Sequence, residues 1–354
     1  MAKKKRSANS PPSSTAVSSA PPAQVADETR ASDKASANRL GLYIAIAGIV
    51  AVLAIGGALV WLNRSSGNSS SPPKLASGWA PGPVNLCRGA PKFPTKLGFS
   101  NAVAFSTSER LNKGLELIEP GAGGSLEYAK RYQDPTWTMG GYLGVFVADR
   151  DGNVYVAPSP RISLIDNPPD KANILYKVDT NSGVMSEYLN LPTDTPPSSE
   201  NPYGILALTY DCDTNSLYVT SVMGSTRAKQ VGRIYRVDLK TGQVADQYDG
   251  VDAFGVAPFN LPTGKRLYFG SARTPEVYSI ALDGEGNFSG EPRLEVTLNG
   301  AFNKPRRIDF NARNQMLVRG IDFNFTLSAT SEDRRTDYLF GYDPANDKWT
   351  QLAP

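Results

Sequence analysis

Three stretches of the sequence carry oxygen ligands at alternate positions: Asp149-x-Asp151-x-Asn153, Asp211-x-Asp213-x-Asn215 and Asp283-x-Glu285-x-Asn287. That spacing suits a hard cation such as calcium, which prefers several carboxylate and amide oxygens. An EF-hand loop would add a carboxylate at the twelfth position, where Pro160, Val222 and Leu294 stand instead. Asp, Asn and Gly are also the residues of tight turns, because they bond their own backbone and tolerate left-handed geometry. Turn chemistry is the simpler account of all three.

The chain has no histidine among its 354 residues. Ser-His-Asp and Cys-His catalysis and His-ligated zinc are thereby excluded. Cys87 and Cys212 cannot build a thiolate cage, and no phosphate- or dinucleotide-binding glycine loop occurs. No cofactor is firmly implied; a divalent cation such as Ca2+ held by Asp, Glu and Asn oxygens is the compatible candidate. Arg306 and Arg307 would suit an anion, although an arginine pair more often forms a solvated edge or meets nearby carboxylates.

Residues 40–62, "LGLYIAIAGIVAVLAIGGALVWL", contain no charge. A helix of that length spans roughly 34 Å, enough to cross a hydrocarbon core about 30 Å thick. Tyr43 and Trp61 sit near its ends, where amphipathic rings favour the headgroup region. The polar stretch before it is too long for a cleaved signal peptide. Basic residues concentrate on the N-terminal side, from Lys3 to Arg39, and basic flanks are retained in the cytoplasm. The reading is a disordered cytoplasmic tail (1–39), a transmembrane helix (40–62), a flexible linker (63–83) and an extracytoplasmic domain (84–354) at a plasma or inner membrane.

Seven of the 37 Lys/Arg and three of the 34 Asp/Glu lie in the first 39 residues, so the outer part is close to neutral. It has no basic surplus for a nucleic-acid surface. Outside the cytoplasm, a lone cysteine pair is expected to be bridged as Cys87–Cys212. Sequons begin at Asn63, Asn68, Asn287 and Asn324.

The outer domain repeats two phrases. "GVFVADRDGNVYVA", "GILALTYDCDTNSLYVT", "GVAPFNLPTGKRLYFG" and "RIDFNARNQMLVR" are each strand, turn and strand. Between them come "ILYKVDTNSGVMSEYL", "RIYRVDLKTGQVADQY", "EVYSIALDGEGNFSG" and "YLFGYDPANDKWTQL", with a weaker copy in "GLELIEPGAGGSLEYAKRY". Two hairpins per period make a four-stranded β-propeller blade, which buries its faces only against neighbours. The fold class is therefore all-β, with five blades fitting the length best and six as the alternative. "FPTKLGFSNAVAFSTSE" would supply the first half of blade one.

Turns within hairpins lie on one face of such a disc and connections between hairpins on the other. The first set is short; the second includes 157–172, 191–202, 221–231 and 320–337. Long loops on a rigid scaffold are where binding usually lives. Arg161, Arg227, Asp322 and Arg334 lie in that set. Cys212 falls on the opposite face, so the expected bridge would pin the linker beneath the disc.

"GVFVADRDGNVYVA" and "NPYGILALTYDCDTNSLYVTS" resemble the repeats of NHL-type and gluconolactonase or strictosidine-synthase-like propellers, over residues 140–354. The resemblance implies a divalent cation at the central pore on Glu, Asn and Asp. The polar residues near the inner strand starts are Glu200, Asn201, Asp252 and Asn303, but they do not match the family's ligands one by one. The leading expectation is a membrane-anchored propeller that binds or scaffolds an envelope protein, peptide or glycan through its long-loop face. The alternative is a metal-dependent hydrolase or lactonase working at the pore.

Overall fold

The computed structural model describes residues 75–354 apart from 108–112, 161–162, 199, 301, 326–334 and 353–354. The tail, the apolar span 40–62 and the first part of the linker lie outside the described residues, as do Arg161 and Arg334. Among the described residues no helix is long and apolar enough to cross a membrane.

The domain is built from five antiparallel sheets. A short β1 (Gly82–Pro83) and a one-turn α1 (Phe93–Lys96) come first. Sheet one holds β2 (Ala104–Ser106), β3 (Glu116–Glu119) and β4 (Lys130–Tyr132). Sheet two holds β5 (Leu143–Ala148), β6 (Val154–Pro158), β7 (Ile174–Val178) and β8 (Met185–Asn190). Sheet three holds β9 (Ile205–Asp211), β10 (Ser216–Ser221), β11 (Arg233–Asp238) and β12 (Gln243–Asp249). Sheet four holds β13 (Ala253–Leu261), β14 (Gly264–Ser271), β15 (Glu276–Leu282) and β16 (Phe288–Thr297), and β1 adds to the free edge of β13. Sheet five holds β17 (Lys304–Phe310), β18 (Gln315–Ile321), β19 (Thr336–Asp343) and β20 (Lys348–Gln351). Within each sheet the strands pair in chain order, and the first strands of sheets two to five lie against one another in succession. This is a five-bladed propeller. Each quoted hairpin forms as read, but the first blade departs from four strands. Its leading segment forms α1 and β2, and β4 is followed by a turn carrying the fully buried Trp137.

Alternation explains the stacking, since successive strand side chains point to opposite faces. Val154 and Val156 join the core between sheets one and two, while Tyr155 and Ala157 join that between two and three. Leu267 and Phe269 likewise face sheet three, and Tyr268 faces sheet five. Four such cores tie the five sheets in series. Among the described residues no hydrophobic cluster joins sheet five to sheet one. There β18 alternates buried Met316 and Val318 with exposed Leu317 and half-buried Arg319.

Candidate functional site

The linker does not hang free once it reaches the disc. Residues 79–92 cross the short-turn face, bonding to one blade after another. Ala80 O accepts from Asn260 Nδ2 at 3.0 Å, and Val84 O accepts from Cys212 N at 2.8 Å. Gly89 N donates to Asp149 O at 2.8 Å, and Lys92 N to Thr180 O at 2.9 Å. Cys87 and Cys212 are disulfide-bonded, as expected. The approach is backbone to backbone. A Cβ on Gly89 would lie 2.4 Å from Arg150 O, and one on Gly152, in a left-handed turn at φ 83°, would lie 2.4 Å from Ala90 O.

Beneath this strap lies a buried ion cluster. Lys265 Nζ sits 2.6 Å from Asp211 and 3.0 Å from Asp213, with its side chain fully buried. Trp79 covers the ammonium, 4.2 Å from its ring centre. All three oxygen-rich turns are accounted for by turn geometry, with ion pairing added at Asp211 and Asp213. Asp149 Oδ1 accepts from the amides of Asp151 and Asn153, and Asp211 Oδ1 accepts from Asp213 N and Lys265. Asp283 repeats the arrangement with Glu285 N and Asn287 N.

On the disc axis a cavity of about 410 Å³ is walled by β5, β9, β13 and β17, with Arg319 and Ile321 of β18. Asn85 and Arg88 of the strap form part of its lining. At the long-loop end an aromatic cluster of Tyr203, Phe254, Phe323 and Phe325 packs with Leu206 and Ile321. Among the described lining residues the charged ones are Arg88, Arg306, Arg307 and Arg319, with Asp309 as the carboxylate.

Local structure puts two consecutive arginines there. In "NKPRRIDF" the pairing of β17 with β18 slips between Pro305 and Arg307, a β-bulge. Strict alternation would send Arg306 and Arg307 to opposite faces; a bulge re-aims a side chain. Both line the cavity. Gly255 makes room, since a Cβ on it would lie 3.1 Å from Arg306 C and from Arg307 Cα. Arg306 Nη1 donates to Leu206 O at 3.1 Å, and its guanidinium lies 5.1 Å from the Phe254 ring centre. Arg319 makes two bonds to Asp337, at 2.7 and 3.1 Å. The sequence offers Arg306 and Arg307 either to an anion or as a solvated edge or carboxylate partner, and does not single out Arg88 or Arg319. The available signal was Pro305 before two arginines in an inner strand.

The residues expected at the pore have other occupations. Glu200 is exposed. Asn201 is buried, donating to Val222 O at 2.8 Å and accepting from Tyr203 N at 2.9 Å. Asp252 is buried; it accepts from Ser225 Oγ and Gly232 N and pairs with Arg273 at 2.5 Å. Burial pushes its pKa up, against Ser225 and Arg273, which pull it down. Asn303 donates to Asn299 O and to the Tyr338 hydroxyl. No hydrogen bond or ion pair among the described residues joins any two of the four. Nor do the described residues contain a cluster of three or more Asp, Glu, Cys or His suited to a metal. With four arginines on the axis, the donor set does not fit a divalent cation. Of the loop-face residues, Arg227 is exposed and its carbonyl accepts from Arg273, while Asp322 is half-buried and interacts electrostatically with Lys304.

No protein-family model matches this sequence, and no curated protein matches it significantly. Among solved structures the chain is similar to regucalcin, a calcium-binding protein from Agrobacterium tumefaciens, at 15% identity over 78% of this chain and 77% of that one, TM-score 0.45. It is similar to a protein assigned as a gluconolactonase at 11% identity over 79% and 84%, TM-score 0.43. A luciferin-regenerating enzyme shows 9% identity over 77% and 76%, TM-score 0.42. Each of these is a distant likeness of fold.

Proposed function

We propose that this chain is a membrane-tethered, extracytoplasmic propeller that binds an envelope protein, peptide or glycan through its long-loop face. The observation that supports it is the strap. Tied by Cys87–Cys212 and backbone bonds, it crosses the short-turn face, opposite the long loops. The long-loop face displays Ile165, 94% exposed, and Phe302, 74% exposed, in loops between strands. Single exposed apolar side chains are ordinary on a protein surface, and a docking site is marked by a contiguous patch of them.

Site-specific photo-crosslinking in cells tests the reading. A benzophenone side chain at Ile165 or Phe302 should give discrete adducts, and one at Lys240, in a short turn, should not. Adducts equal from all three positions, or none from the loop face, would overturn it. Externally added protease that reaches only residues 1–39 would overturn the orientation.

A further inference from the structure

We propose that the axial cavity is a binding site for a small molecule bearing two or more oxyanion groups, carboxylate or phosphate. This site lies inside the scaffold and stands independently of any partner at the loop face. Among the described residues, four guanidinium groups and one carboxylate, that of Asp309, line the cavity. With Asp337 counted as the partner of Arg319, the described residues still carry more guanidinium than carboxylate groups. A concave site with one sign of charge concentrates counter-ions of the other. Its volume of about 410 Å³ is within the range of small-molecule pockets.

The arginines are also held in place. Arg306 is fixed by Leu206 O and the Phe254 ring, Arg319 by two bonds to Asp337, and Arg88 Nε by Asn85 O at 2.9 Å. Arg307 differs. Its side chain is 67% exposed and its nearest carboxylate oxygen, on Asp309, is 3.6 Å away. A planar guanidinium fork matches carboxylate and phosphate oxygens in paired hydrogen bonds. Arg307 is therefore the primary ligand, placed by the bulge, with the other three supplying field and orientation. Such a ligand would enter where the cavity meets the groove along β17, β18 and β19, which shares Arg307, Asp309 and Arg319 with it.

The test is isothermal titration of the full chain, purified in neutral detergent, with inorganic pyrophosphate, citrate and glucose as probes. Saturable 1:1 binding of pyrophosphate or citrate, weakened by added salt, is expected, with no binding of glucose. Whichever anion binds identifies phosphate or carboxylate as the ligand chemistry. Arg307→Gln should weaken that binding about ten- to a hundredfold. Asp309→Asn should strengthen it, a sign that general damage to the fold would not produce. Unchanged circular dichroism and melting temperature of Arg307→Gln would show that it folds. The proposal is overturned if neither anion binds saturably, if glucose binds as well as they do, or if Arg307→Gln and Asp309→Asn leave the affinity as it was.

Discussion

Lys265 shows how far one side chain's environment departs from its residue type. Lysine is almost never fully buried unless paired, and here it is buried between Asp211 and Asp213 under Trp79. Removing one partner of a buried ion pair strands the other charge, which costs about 3–5 kcal/mol. Lys265→Met should lower unfolding free energy by about that amount in a urea titration. A loss below about 1 kcal/mol would mean that water reaches the two carboxylates. Nothing in "LPTGKRLYF" marks this lysine as buried. Its partners lie in a different blade, and its cover lies in the linker. Asp149 is the opposite case, since its turn bonds run to residues two and four positions on, and the sequence alone predicts them.

Among the elements, the hairpin turns carry a collective pH dependence. The Ser182 amide holds the Asp179 carboxyl low. Asn346 and the Ala345 amide do so for Asp343, and Arg293 for Asp347. Each is below its ordinary value of 3.8 in the folded protein. Folded carboxyls with depressed pKa bind fewer protons than unfolded ones, so they contribute stability above pH 3.8 that is lost as pH falls through their lower values. Burial raises Asp252 instead, so its ionisation above pH 3.8 detracts from stability, with the opposite slope. Glu119, Asp166, Glu276, Asp283 and Asp337 are also held below their ordinary values, so depressed carboxyls outnumber the raised Asp252 among the described residues. The melting temperature should fall steadily below about pH 4; a melting temperature flat from pH 5 to pH 3 would refute this. The strands themselves were legible: "VYVAP", "SLYVTS" and "KRLYFGS" are apolar on both faces and become second strands between two neighbours. "QMLVRGI" alternates instead, and its polar face looks toward the seam that lacks a shared core among the described residues. The bulge in "NKPRRIDF" was harder to see, because a slipped register depends on the partner strand.

At the scale of the molecule, the strap joins linker, blades two to four and axial cavity into one unit. The Cys87–Cys212 bond closes a loop of 125 residues. In the chain-entropy account such a bridge stabilises by about 4–5 kcal/mol. The Cys87→Ser, Cys212→Ser double variant should therefore unfold at markedly lower guanidinium concentration. Its strap should also be cut by trypsin at Arg88 before the blades are. Unchanged midpoint and unchanged cleavage order would show that backbone bonds alone hold the strap.

The sequence by itself determined the repeat, the alternating strands, the short and long faces, the cysteine pairing and the absence of imidazole chemistry. All of these follow from local periodicity and composition. Tertiary structure decided what no local pattern encodes: that the linker crosses one face, that Asn201, Asp252 and Asn303 are bonded to their own neighbours, and that Arg88, Arg306, Arg307 and Arg319 line one cavity. Those arginines come from the strap and from two adjacent strands. Only curling the sheets around a common axis brings side chains more than two hundred residues apart to the same cavity.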